Sequence, residues 1–346
     1  MQRIWGRLFA SRRPTAQPAM LRMADLPAAF AVPAEPPVPV EAVGDPAAVE
    51  LIEDRFRRLV LGLPDSETAA ASAAELATLR RLEAIGERFD VQSLPRLPTV
   101  LPQLLRSLKN DNLAGSQLAE LVGRDPVLVG EVMRVTGSAH YRTAQPVHSL
   151  QQAVVLLGQE GLRRVATQHV MKPILQASAG MHGHMAGQHL WDHAERCAHA
   201  SAYLGRNNGC DGFEAYLAGM VCHTGTGAVV RLLDQEAPPS LDYSMDFLRD
   251  CLRLGAQLSA RAAVHWELPA NVIRALDERA AGGDDALSQL GKALLVADVL
   301  AMRQLLAERA SPLGNAEVSG HWPDCFAAPL VQRCQQDLRR HFGMGN

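Results

Sequence analysis

The sequence contains no apolar run of the about 18 residues that a membrane-spanning helix requires. Its opening, MQRIWGRLFASRRP, lacks both the continuous apolar stretch and the cleavage site of a secretory signal. Aromatic residues are scarce at 5%, and alternating β-branched runs are few while Ala and Leu are frequent, a balance that favours helix over sheet. Neither sign of charge dominates: 34 basic against 37 acidic residues leave a net charge of -3. That excludes the electrostatic footprint needed to wrap a phosphate backbone, so nucleic acid is not an expected partner. The six cysteines, Cys197, Cys210, Cys222, Cys251, Cys325 and Cys334, form no C-x-x-C pair and no compact framework spacing. They read as reduced thiols, and the expected location is cytoplasmic. Also missing are a G-x-G-x-x-G after a strand, a P-loop, a G-x-S-x-G elbow and any repeat of fixed period.

What is present is amphipathic helix, preceded by a biased segment. At 346 residues the chain exceeds the about 100 to 200 of a single domain, so two folded units, or one with extensions, are expected. Residues 14–46 are crowded with Pro and Ala and set the character of the segment 1–44. That composition blocks continuous helix and buries too little to offset chain ordering, so a disordered segment dispensable for folding is expected. Its first thirteen residues carry Arg3, Trp5, Arg7, Arg12 and Arg13 and no acid; they read as a frayed tail rather than a membrane-surface helix, and no membrane partner is expected. Residues 45–93 form an N-terminal helical hairpin in this reading. Val49, Ile52, Phe56, Leu59, Val60 and Leu63 share one face of the first helix, and Leu76, Leu79, Leu82 and Ile85 one face of a second that runs from about Asp65 to Phe89.

The most legible stretch is residues 125–158, DPVLVGEVMRVTGSAHYRTAQPVHSLQQAVVLLG. Asp125 supplies a capping oxygen and Pro126 occupies the first helical position, where its missing N–H costs nothing. Leu128, Val132 and Val135 then recur on one face as far as Gly137. After a polar turn, Ser149 caps a second helix with Leu150, Ala153, Val154 and Leu157 inward, and Gly158 offers a left-handed stop. Upstream, Pro98 opens a helix carrying Leu101, Leu104, Leu105 and Leu108, and Ser116 caps a short one with Leu118, Leu121 and Val122. Downstream, Leu162, Val165, Ala166, His169 and Val170 make a face, residues 178–188 read as a loop, and helices follow over 189–204, 213–233 with a glycine-rich interruption at HTGTG, 243–266, 270–280 and 286–309. A basic amphipathic segment, LVQRCQQDLRRHF, ends the chain as a last helix.

Read with LPRLPTVLPQLLRSL at 94–108, the phrases DPVLVGEVMRV, GSAHY, PVHSLQQAVVLLG and GLRRVA resemble, in order and spacing, the HDOD domain, the HD-related output domain of bacterial signalling proteins. The resemblance covers residues 94–285, with 286–346 as a C-terminal helical part packed on it. It implies an all-α, HD-like multi-helix domain with an N-terminal helical extension. Because relatives sit beside receiver or cyclic-di-GMP-turnover domains, it also implies a protein partner or small effector in a signalling pathway, with a cyclic-di-GMP link among the options.

The same resemblance locates a site. HD hydrolases hold a metal with a His, an adjacent His-Asp pair and a distant Asp. His193 in LWDHAERCA sits where the first His would be, His223 in LAGMVCHTGTGAVV matches the pair's His, and Asp298 in LLVADVLA matches the last Asp. The pair's acid is Thr224, which can neither supply charge nor bridge two ions, and Gly225, Thr226 and Gly227 stand where relatives continue toward a Gly-Lys. The resemblance therefore implies a degenerate site with no catalytic residue, no metal and no cofactor, its polar groups satisfied by hydrogen bonds or water. The alternative is a mononuclear phosphohydrolase acting on a nucleotide or phosphodiester, with Zn or Fe on His193, His223 and Asp298. Other candidates are weaker. His182 and His184 lie in a Gly- and Met-containing stretch without a nearby acid; His189 and His193 are four apart, but Leu190 replaces the Glu of a zinc protease; His199 and His265 read as helix-surface residues; and Cys222 beside His223 reads as a small buried thiol.

Overall fold

Helix caps written in the sequence set the elements of this computed structural model. It describes residues 46–66, 68–88, 119–120, 122–138, 141, 147–176, 183–236, 242–282, 287–309 and 326–343, all within one unit, Ala42–Asn346. Among the described residues every regular element is a helix: α1 Pro46–Leu61, α2 Ala73–Arg88, α3 Pro126–Thr136, α4 Leu150–Gln176, α5 Gly183–Asn207, α6 Gly212–Val221, α7 Thr224–Glu236, α8 Met245–His265, α9 Ala270–Ala281, α10 Gln289–Glu308 and α11 Ala328–Phe342. No helix among them is long and apolar enough to cross a membrane. The Pro-rich segment 1–44, the Pro98 helix, the Ser116 cap, the side chains of His182 and His184, and Cys325 lie outside what is described.

The 125–158 stretch folds as its residues dictate, with one difference. Asp125 Oδ1 accepts from Val127 N and Leu128 N at 2.9 and 3.1 Å, and Ser149 Oγ accepts from Gln152 N at 3.2 Å. At Gly158 the backbone does not take the left-handed helical stop; φ is 64° but ψ is 179°. This extended, positive-φ conformation belongs to glycine because a Cβ would collide with the neighbouring peptide. The chain kinks there and helix resumes at once, so α4 is two helical pieces in series. Leu128, Val132, Ala153, Val154, Leu157, Leu162 and Val165 bury together in a small core of their own.

Two other expectations need correction. The second helix begins at Ala73, not near Asp65, because Ser72 and Glu75 form a reciprocal capping box: Glu75 N donates to Ser72 Oγ at 3.3 Å and Ser72 N to Glu75 Oε2 at 2.7 Å. Leu76 falls in its first turn and is 41% exposed. Helix α5 starts six residues before His189, so 183–188 are helix, not loop. Two glycines in the first turn and a half cost about 1 kcal/mol each, and burial of Ala186, Leu190 and Trp191 further along offsets them.

The large core is centred on α5, which packs on α1, α4, α6, α7, α10 and α11. Helix α1 is not an ordinary amphipathic extension. Alongside Ile52, Phe56 and Val60 it buries Asp54, Arg57 and Arg58. Arg58 Nε reaches Asp54 Oδ2 at 2.8 Å while Arg58 Nη2 donates to Tyr243 O at 3.1 Å, which satisfies the buried charge and fastens α1 to the approach of α8. The TGTG stretch has a packing reason too. A Cβ on Gly225 would overlap Gly255 O and Ser259 N, so α7 and α8 meet backbone to backbone there, and Gly225 N donates to Ser259 Oγ at 2.8 Å.

Leu128→Ala is expected to destabilise by about 2 to 5 kcal/mol, since it empties a buried position in the small core. Gln151→Ala, on the exposed face of α4, should change stability by less than about 0.5 kcal/mol. Urea midpoints at constant slope give both values, and equal shifts would mean that the face is assigned wrongly.

Candidate functional site

Four elements of the large core bring His193, His223, Thr224 and Asp298 into the same buried region. Helix α5 carries His193; the two-residue turn between α6 and α7 carries His223, with Thr224 starting α7; α10 carries Asp298. All four are buried, His193 completely. His193 Nε2 and His223 Nε2 each lie 3.0 Å from Asp298 Oδ1. Among the described residues neither ring nitrogen of His193 meets the geometry of a hydrogen bond, although Nε2 lies within ion-pair distance of Asp298. Thr224 Oγ1 likewise has no hydrogen-bond partner among them.

The residue that organises the cluster is Arg279, near the end of α9. Its Nε and Nη2 reach Asp298 Oδ2 at 2.9 and 2.8 Å, Nη2 reaches His223 Nε2 at 2.9 Å, and Nη1 donates to Cys222 O at 3.3 Å. Burial by itself would raise the Asp298 carboxyl, but Arg279 and then His223 hold it well below the usual carboxylate range. Burial works against the Arg279 charge as well, and Asp298 outweighs it, so the guanidinium stays protonated. His223 is pushed down to about 3, by burial first and by the Arg279 and His193 side chains, against the pull of Asp298. The ring is therefore neutral. Its Nε2 can take the Arg279 N–H or give a proton to Asp298 but not both, and Thr226 Oγ1, 3.1 Å from Nδ1, serves either tautomer because a hydroxyl both donates and accepts.

Helix α1 closes the site from above in the chain. The Phe56 ring stacks obliquely on His193 at 4.7 Å and edge-on to His223 at 5.5 Å between centroids. Glu53, one turn earlier, has its carboxyl raised by burial, with Arg57 opposing and the Asp298 charge adding to the rise. Beneath the histidines, Cys197 Sγ lies 3.8 Å from Cys222 Sγ. Burial raises the Cys197 thiol well above its ordinary range, which makes it an inert packing group rather than a nucleophile. His189 contacts Arg309 at 3.2 Å, His199 pairs with Asp337 at 2.6 Å, and exposed His265 ends α8, all outside this cluster.

The donor atoms do not fit a hydrolytic metal centre as they stand. Such an ion needs an open coordination position at which it can hold and activate water. Here a guanidinium fills the position between His223 and Asp298, Thr224 gives no charge, and an aromatic ring covers the imidazoles. The arrangement neutralises a buried carboxylate with an internal cation. Sequence reasoning missed Arg279, Phe56 and Glu53. The helix bearing Arg279 was legible, but nothing in its spacing relates position 279 to 223 or 298. The thiol pair left a fainter trace, since His193 and Cys197 are four apart and Cys222 adjoins His223.

Residues 94–281 match the HDOD domain family. Over 214 residues, 58% of this chain, the sequence is 23% identical to an uncharacterized protein of Treponema pallidum (strain Nichols), of whose length it spans 39%. The fold is shared with an HDOD domain protein with unknown function from Geobacter sulfurreducens, at TM-score 0.50 and 20% identity over 78% of this chain and 90% of that one. It is shared also with a protein from Shewanella amazonensis SB2B that carries the provisional name metal-dependent phosphohydrolase, at TM-score 0.50 and 18% identity over 77% and 100%. Phe56 and Asp298 both fall outside the family match.

Two measurements probe the cluster. Arg279→Gln strands a buried carboxylate and is expected to cost about 3 to 5 kcal/mol. Arg274→Gln, which breaks a pair whose arginine is 65% exposed, should cost under about 1 kcal/mol. The pH dependence follows from His223, whose folded pKa of about 3 lies below its ordinary 6.5. Between those values the unfolded chain takes up a proton that the native ring refuses, so the contribution is complete above 6.5 and lost as pH falls toward 3. Asp298, also depressed, adds a loss of the same sign further down. Stability should fall by up to about 1.4 kcal/mol per pH unit in that window, and His223→Gln should flatten the slope; identical slopes would show that the ring does not remain neutral.

Proposed function

The chain belongs to the HDOD domain family, and on that premise we propose that it is a non-catalytic signalling module that acts by binding a protein partner or small effector. The observation that carries this reading is Arg279. A metal-dependent hydrolase must leave its cation open to substrate and water, whereas here the cation is a side chain held by three partners inside the core. Thr224 in place of an acid and Gly227 in place of a lysine point the same way, since neither a bridging carboxylate nor a phosphate clamp is available. In this reading His193, His223, Thr224 and Asp298 are remnants of a metal site, and the Arg279 contacts to Asp298, His223 and the Cys222 carbonyl now tie α9, α10 and the turn between α6 and α7 together. A cytoplasmic location and a partner within a signalling pathway complete the proposal.

The competing reading is a mononuclear phosphohydrolase acting on a nucleotide or phosphodiester, and what favours it is the convergence of His193 and His223 on one Asp298 oxygen. The two readings separate on metal content. Full-length protein purified without chelator is expected to hold well under one Zn, Fe or Mn per chain and to release no phosphate from phosphomonoesters or cyclic dinucleotides. Thr224→Asp combined with Arg279→Ala, which adds a ligand and removes the competing cation, should take up a divalent ion. One tightly bound ion per unmodified chain, with turnover, would replace the non-catalytic reading with the hydrolase.

A further inference from the structure

A cavity of about 460 Å³ lies against the outer side of the Arg279–Asp298 pair, between α1, α8, α9 and α10. That volume is within the range of sites for small organic ligands. Its four carboxylates are largely committed: Glu53 pairs with Arg57 at 2.5 Å and Asp250 faces Arg253 at 3.8 Å. Asp298 is held by Arg279. Glu278 accepts from Ser288 N and Oγ at 3.0 and 2.7 Å and pairs with Arg274 at 2.9 Å.

The cations are less so. Arg57, whose side chain is 5% exposed, pairs through Nη2 with Glu53, while its Nε has no hydrogen-bond partner. Arg253, 58% exposed at the rim, has Asp250 only at 3.8 Å. Arg249, also at the rim, engages Asp246 at 2.6 Å and Glu50 at 3.5 Å, neither of which lines the cavity. Guanidinium N–H groups from two helices thus outnumber the acceptors offered to them. Opposite, Leu295, 37% exposed, and Met302 supply an apolar wall.

We propose that this cavity binds a small organic phosphate, its phosphoryl group taken by Arg57, Arg249 and Arg253 and its body laid against Leu295 and Met302. A phosphate dianion presents three terminal oxygens, enough to accept from several guanidinium forks at once, where a carboxylate presents two. Glu53 holds one Arg57 nitrogen at 2.5 Å, and burial raises its carboxyl against the opposing pull of Arg57. Arg57 lies on α1, upstream of the matched family domain, and Arg249 and Arg253 lie on α8 within it. Occupancy therefore clamps α1 to the domain and couples the ligand to the helix that carries Phe56 over the buried histidines. The proposal rests on the non-catalytic reading only in that the bound phosphate is not cleaved.

Calorimetric titration of the full-length protein with adenosine 5′-monophosphate, inorganic phosphate and adenosine tests it. The nucleotide should bind more tightly than inorganic phosphate, and adenosine should not bind at the same concentrations. Arg253→Gln, at the exposed rim, and Arg57→Gln, inside, should each weaken nucleotide binding by about tenfold or more, while Arg340→Gln on the exposed face of α11 should leave it unchanged. Hydrogen exchange across α1 should slow when the nucleotide is added. Failure of both phosphate probes to bind, equal affinities in the cavity variants and in Arg340→Gln, or displacement by citrate at equal concentration would each overturn the site. Release of phosphate from bound nucleotide with the Arg253 dependence intact would support the site while removing the non-catalytic reading.

Discussion

The Arg279–Asp298 contact is the constraint on which the rest of the core depends. A carboxylate taken out of water costs several kcal/mol unless a cation and hydrogen bonds compensate it, and Asp298 sits on a helix whose other residues at that level are almost all buried. Arg279 provides that compensation with two nitrogens on one oxygen. Because the same guanidinium also contacts His223 and the Cys222 carbonyl, it fixes the turn between α6 and α7 relative to α9 and α10. Packing around it then follows: the histidine rings have one place to lie, and Phe56 covers them.

That arrangement explains why α1 is built as it is. A helix that only extended a core would bury one apolar stripe and turn its charges outward. This one buries Asp54, Arg57 and Arg58 as well, with Arg58 satisfied by Asp54 and by the Tyr243 carbonyl. Its apolar residues belong to the large core and Phe56 to the histidine cluster, so α1 is part of the site although it precedes the family's domain in sequence. The small core of α3 and α4 is separate from this machinery. It holds the kinked α4 against α3, and through its later residues Val170, Met171 and Ile174 the same helix enters the large core.

The first glycine after His223 serves packing. Gly225 lets α7 and α8 touch through their backbones, with the Ser259 hydroxyl receiving the Gly225 N–H. That close approach depends on the absent Cβ of Gly225.

The sequence by itself determined what local chemistry controls. Asp125, Ser149 and Pro126 dictate helix starts because capping and a fixed φ act within a few residues. The all-α class follows from 3.6-residue periodicity, and the meeting of His193, His223 and Asp298 is expected only through the resemblance to HD proteins. The Ser72–Glu75 capping box was equally local and equally present, but acidic and alanine-rich residues before it imitate helix and hide the start. What only the tertiary structure decided is how distant charges meet. Arg279 and Asp298 are nineteen residues apart on different helices, and Phe56 is more than a hundred residues from either histidine. No periodicity encodes such distances, because they are set by how whole helices pack. A cation in the core leaves the same trace in the sequence as an arginine on a helix surface, and only burial distinguishes the two.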